Sequence, residues 1–143
     1  MSIRIPANVS TGIVIDQINQ GAALKDLPPS QELPKLSTVL NEMMGKRSIS
    51  TEALFEQACL NRATGFKVLA NRMIPSPNVL LRLALVMQLN IEETQWLLKC
   101  GHHAQLSAAR GRDIILMKAI HDHLSIDDTD QLLAENHQPT LTK

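Results

Sequence analysis

No stretch of this chain alternates apolar and polar residues at the two-residue period of a half-buried strand over any useful length. Short apolar patterns at helical spacing recur instead, each cut off by a capping residue, a glycine or a proline. That punctuation allows several short helices and little else, so the expected fold class is all-α. The composition agrees. Hydrophobic residues make up 44% of the 143 positions, yet there are two Phe, one Trp and no Tyr, so the core must be built from Leu, Ile, Val, Met and Ala. Such a core suits packed helices better than a β-sandwich.

The pattern partitions the chain as follows. Residues 1–29 read as an N-terminal arm or short helix, with 11–27 helical and weakened at Gly21. Ser30 is the expected N-cap of a helix over 31–44, with Gly45 at its C-cap. Ser50 heads "STEALFEQA", and "NRATGFKVLAN" follows. Pro75-Ser76-Pro77 precedes "NVLLRLALVMQ", and Asn90 with Glu93 forms an approximate capping box before "IEETQWLLKC". Ser125 and Asp128 repeat that logic in the last helix. Residues 30–106 form the expected core and 107–143 a C-terminal helical hairpin.

An internal repeat supports this division. "LNIEETQWLLKCGHHAQL" (89–106) aligns without gaps on "LSIDDTDQLLAENHQPTL" (124–141), an offset of 35 residues. Each copy reads as one helical hairpin whose second helix begins behind an acidic first turn, where the helix dipole favours negative charge. Duplication and convergence of two capped, Leu-rich hairpins both account for the match. Two copies are fewer than a solenoid needs.

Acidic and basic residues balance at 14 each, so no whole-chain field advertises a polyanion. The distribution is uneven, with a net +4 over residues 45–82 and a net −4 over residues 121–143. In the basic third, residues 51–71 have the grain of a helix-turn-helix: a short helix, a turn at Cys59-Leu60-Asn61, and a second helix of about the length Asn61–Asn71. The first turn of that second helix offers Asn61, Arg62 and Thr64, with Lys67 one turn on. Arg and Asn are the side chains that read guanine and adenine edges bidentately. Lys46, Arg47, Arg72 and Arg82 are the expected phosphate contacts, which position a protein without specifying sequence. The blander account of each is a solvated helix face.

On these residues, 33–106 resembles the Cro/C1 (XRE-type) helix-turn-helix family of bacterial and phage regulators. More closely, 33–141 looks like a group of small helix-turn-helix proteins of Gram-positive bacteria, through "ISTEALFEQACLNRATGFKVLANRMIPSPNVLLRLALVMQLNIEETQWLLK", Arg112-Asp113 and "LSIDDTDQLL". The resemblance implies a five-helix core round the motif, a C-terminal hairpin and a second motif helix inserted in the major groove. It also implies a cytoplasmic transcriptional regulator that binds double-stranded DNA as a homodimer, with the second hairpin the candidate dimer surface or a dock for a second protein. Some members of the closer group are thought to accompany Ser/Thr protein kinases, so a helical protein-interaction module is the alternative.

The chain departs from the family pattern at Phe55, where a small residue is usual, and at Cys59, where glycine is usual in the turn. Gly65 stands in the middle of the expected reading helix. The family template buries Leu60, Gly65 and Val68 and turns Phe66 outward, which would make Phe66 a partner-binding candidate. Plain helical periodicity would bury Ala63, Phe66 and Ala70 instead. Trp96 is expected to plug the first hairpin, and Arg112-Asp113 to act as a structural pair or cap.

Other chemistries find little footing. Cys100, His102, His103, His121, His123 and His137 supply zinc-type ligands, but at helix ends and in no zinc-module spacing, so no metal and no cofactor is expected. Nothing supplies a strand-to-helix elbow, a phosphate loop or a paired-carboxylate cleft, so no enzyme is expected. Cys59 and Cys100 sit in helix-like patterns with no secretory segment upstream, and reduced thiols in a cytoplasm follow. No apolar run approaches the roughly 20 residues of a membrane span, so no membrane partner is expected.

Overall fold

In the computed structural model, residues 11–27 and 32–142 are described, and among them the chain forms eight α-helices and no strand. They fall into two compact units, divided at residues 33–34. The first holds α1 (Thr11–Asn19) and a 3-10 turn (Leu24–Asp26). The helix expected over 11–27 stops early, because the chain turns at Gly21, whose φ of 87° is open to glycine at little cost.

The second unit holds α2 (Leu36–Arg47), α3 (Thr51–Gln57), α4 (Arg62–Leu69), α5 (Pro77–Val86), α6 (Ile91–Cys100), α7 (Gly111–His121) and α8 (Ile126–Glu135). Within it α2 packs on α4 and α6, and α5 packs on α3, α6 and α8, while α7 lies against α6 and α8. The core is aliphatic, with Leu40, Met43, Leu54, Leu80, Leu83, Leu97, Leu98, Leu116, Ile120 and Leu133 all under 2% exposed. Trp96 is buried beside them. The segments expected as core and as C-terminal hairpin thus share one compact unit.

Helix starts follow the caps. Ser50 accepts from Ala53 N–H, Ser76 from Val79 N–H ahead of Pro77, and Ser125 from Asp128 N–H. Asn90 and Glu93 complete a reciprocal capping box, at 2.7 and 3.0 Å. The second helix departs from expectation at both ends. It begins at Leu36 behind an extended Lys35, since a helix rarely runs through the residue before Pro34; Ser30 lies outside the described residues. It also runs through Gly45 to Arg47 and turns at Ser48, which puts Ile49 rather than Lys46 after the turn.

Helix ends share one device. After each of α2 to α8 comes a non-glycine residue in the left-handed conformation: Ser48, Cys59, Asn71, Gln88, His102, His123 and His137, with φ between 53° and 61°. Its N–H and that of the next residue bond back to carbonyls of the last turn, as in Cys59→Glu56 and Leu60→Phe55, or Gln88→Leu85 and Leu89→Ala84. This is the Schellman arrangement, usually closed by glycine. Three of the five histidines that suggested metal ligands hold such corners. A side chain here costs about 1 kcal/mol relative to glycine. Gln88→Gly, at an exposed corner, is therefore expected to stabilise the fold by about 1 kcal/mol, read as a higher urea midpoint at unchanged slope.

The sequence repeat is also a repeat of geometry. Thr94 and Thr129 are both fully buried, and each hydroxyl donates to the carbonyl of its own N-cap residue, Asn90 or Ser125. Gln95 Oε1 accepts from Leu106 N–H at 2.7 Å, and Asp130 Oδ1, 35 positions later, accepts from Leu141 N–H at 2.6 Å. Each hairpin thus ends in a strap tied to the same turn of its second helix.

Candidate nucleic-acid or partner interface

The helix pair α3–α4 is joined by Ala58-Cys59-Leu60-Asn61. Cys59 takes the bend at φ 58° despite its Cβ. Asn61 starts α4 by accepting from Ala63 and Thr64 N–H at 2.8 and 3.3 Å. Its carbonyl oxygen is therefore committed to the helix, a role the reading of Asn61 as a base contact did not include.

The burial pattern of α4 decides between the two expected faces. Gly65 and Val68 are buried, while Ala63 and Ala70 are exposed and Phe66 is 42% exposed. Plain periodicity over Ala63, Phe66 and Ala70 chose the outer face. The reason lies across the turn. Phe55 of α3 is 4% exposed, and a Cβ on Gly65 would come within 2.5–2.6 Å of its ring. The large residue on α3 occupies the volume that α4 vacates by having glycine, so Phe55 and Gly65 are one compensated pair. The Phe55 ring then meets Phe66 edge-on, with centroids 5.6 Å apart and planes at 89°.

Outside, the Arg62 guanidinium lies 5.4 Å from the Phe66 ring centroid. Glu52 stands 3.9 Å from it, but both side chains are well exposed, and such a pair contributes only about 0–1 kcal/mol. Lys67 and Arg72 are exposed, Thr64 is half-buried, and Lys46 is exposed near the end of α2. Met73 and Ile74, directly after α4, add 38% and 53% exposed apolar side chains.

Two of the expected phosphate contacts are engaged inside the fold. Arg47 donates to the Met87 carbonyl at 2.6 Å and to the Glu93 carboxylate at 3.0 Å, and Glu93 is 2% exposed. Arg82 donates through Nε to the Ala58 carbonyl at 2.9 Å and through Nη1 to the Leu141 carbonyl at 2.7 Å. The signal for Arg82 was its place in "NVLLRLALV", because an arginine set within an apolar helix needs acceptors. Arg112 and Asp113 do not pair with each other. Asp113 accepts from Ser107 N–H and from Arg110, whereas Arg112 reaches Asn78 and the carbonyls of Pro139 and Thr140.

Among the described residues no group of three or more His, Cys, Asp or Glu is placed to hold a metal ion, and no helix is long and apolar enough to cross a membrane. Both cysteines are free. Burial pushes the Cys100 thiol up to about 11, with Lys99 opposing in part. Cys59 is exposed. A thiol-reactive probe at pH 8 is accordingly expected to label Cys59 rapidly and Cys100 only after unfolding, giving one fast equivalent and one slow by mass spectrometry.

Comparison with protein-family models, curated proteins and solved structures finds no match to this chain.

Proposed function

We propose that this protein is a DNA-binding transcriptional regulator of the Cro/C1 helix-turn-helix type, with α4 as the helix inserted in the major groove. The observation that carries the reading is the division of α4 into an inner face of Gly65 and Val68 and an outer face bearing Arg62, Ala63, Phe66 and Lys67. Arg62 and Lys67 supply donors for guanine edges, and Ala63 and Phe66 supply apolar contact for thymine methyls. Stacking on Phe66 restricts Arg62 before DNA arrives, which lowers the entropy lost on binding. Lys46 and Arg72 complete the phosphate-facing set. Arg47 and Arg82 are left out of it, being occupied by Glu93, Met87, Ala58 and Leu141. As a homodimer the protein would read half-sites about 34 Å apart.

The exposed Phe66, with Met73 and Ile74 exposed just beyond α4, favours a second reading, in which the outer side of α4 docks a protein partner such as a Ser/Thr kinase. One experiment separates the two. Fluorescence anisotropy of a labelled generic duplex, across a salt series, is expected to show affinity falling steeply with salt. On a generic duplex, where no operator bases are present and Arg62 and Lys67 meet phosphates instead, the Arg62→Ala/Lys67→Ala variant is expected to lower the log–log slope by about 2. No binding at low salt would sink the DNA reading, since non-specific affinity needs no operator.

A further inference from the structure

We infer that the segment 139–142 is a latch on the α3–α4 turn, with the Arg82 side chain as its crossbar. The argument starts from the repeat. In the first copy the Gln95 side chain closes both backbone groups of Leu106, accepting from its N–H at 2.7 Å and donating to its carbonyl at 2.9 Å. In the second copy the equivalent residue is Asp130. An ionised carboxylate accepts but has nothing to donate. Asp130 therefore holds Leu141 N–H at 2.6 Å and takes the N–H and hydroxyl of Thr142 as well, leaving the Leu141 carbonyl in need of another donor.

That donor is Arg82, which crosses from α5. The same guanidinium holds the carbonyl of Ala58, the residue that ends α3 and opens the turn into α4. A helix-terminal carbonyl buried without a partner is costly, so this bond is part of how the turn is set. The strap is secured further by Arg112 on the carbonyls of Pro139 and Thr140, and by burial of Leu141, which is 2% exposed. A cleft of about 270 Å³ lined by Cys59, Leu85 and Ser125–Asp127 lies between the same turn and the start of α8. When the strap leaves, Arg82 loses one of two acceptors in a half-buried position and turns towards solvent, and the Ala58 carbonyl is released with it. The latch acts on the turn itself, so it operates whether α4 meets DNA or a protein.

Amide hydrogen exchange tests this on the full chain, on a chain ending at Gln138, and on Arg82→Ala, alone and combined with the truncation. Truncation is expected to speed exchange of the Cys59 and Leu60 amides about 10-fold, in line with loss of one charge-assisted hydrogen bond. Arg82→Ala is expected to do the same, and truncation is expected to add nothing in the Arg82→Ala background. Leu97 and Leu98 of α6 are expected to stay protected throughout. Should the truncated chain not fold, Asp130→Ala replaces it, with faster exchange at Leu141 reporting release of the strap. Unchanged exchange at Cys59 and Leu60 after either change, or effects of truncation and Arg82→Ala that add, would overturn the latch. An unchanged Leu141 amide in Asp130→Ala would overturn the anchoring role of Asp130.

Discussion

Arg47→Met is expected to destabilise the fold by about 3 kcal/mol, at the lower end of what removing one partner of a buried ion pair costs. The lower end applies because the Arg47 side chain keeps 23% of its exposure, while Glu93 keeps 2%. Glu93 is held by its position in the capping box of α6, so it cannot follow the lost charge out to water. The carboxylate then stays in the core without its guanidinium. Arg47→Met/Glu93→Gln removes both charges and preserves a capping-box side chain. The double variant is accordingly expected to recover at least half of the loss, as equilibrium urea unfolding will show. A double variant no better than Arg47→Met would mean that the packing of the arginine stem, and not its charge, stabilises the junction of α2 and α6.

The second large effect is a change of sign. Phe55→Ala is expected to cost about 3–5 kcal/mol, the range for emptying a buried aromatic site. Gly65→Ala is expected to cost about 1–3 kcal/mol, because its methyl meets the Phe55 ring at a distance real Cβ atoms do not adopt. In the Phe55→Ala background the space is open, and Gly65→Ala is expected to stabilise by up to about 1 kcal/mol through helix propensity alone. The double-mutant cycle thus yields an interaction energy of about 1–4 kcal/mol, as expected for two residues in direct contact. Gly65→Ala equally harmful in both backgrounds would show that glycine is needed for something other than Phe55.

Much of the fold was legible because its signals are local. Ser50, Asn90 and Ser125 cap where side-chain oxygens were placed to do so, and Pro77 opens a helix as its fixed φ favours. Ends were harder. Gly45 looked like a stop and is not, because seven non-glycine residues take the left-handed corners and leave glycine no privilege there. The face of α4 was not readable from its own residues, since the deciding volume belongs to Phe55 on another helix. Charge alone also ranked Arg47 and Arg82 with Arg62 and Lys67. Only the acceptors across the fold, Glu93, Met87, Ala58 and Leu141, distinguish an arginine that ties helices together from one that faces outward.

The matched closure of the two hairpins bears on how such a chain can lengthen. Each hairpin brings its own cap, its own buried threonine and its own tied strap, so most of what shapes it is carried within 35 consecutive positions. A tandem copy inserted at the strap would arrive already bounded, and it would disturb the junctions that Arg82 makes with Leu141 and Arg112 with Pro139 and Thr140. The architecture is in that sense extensible at the strap, where two arginines hold the chain.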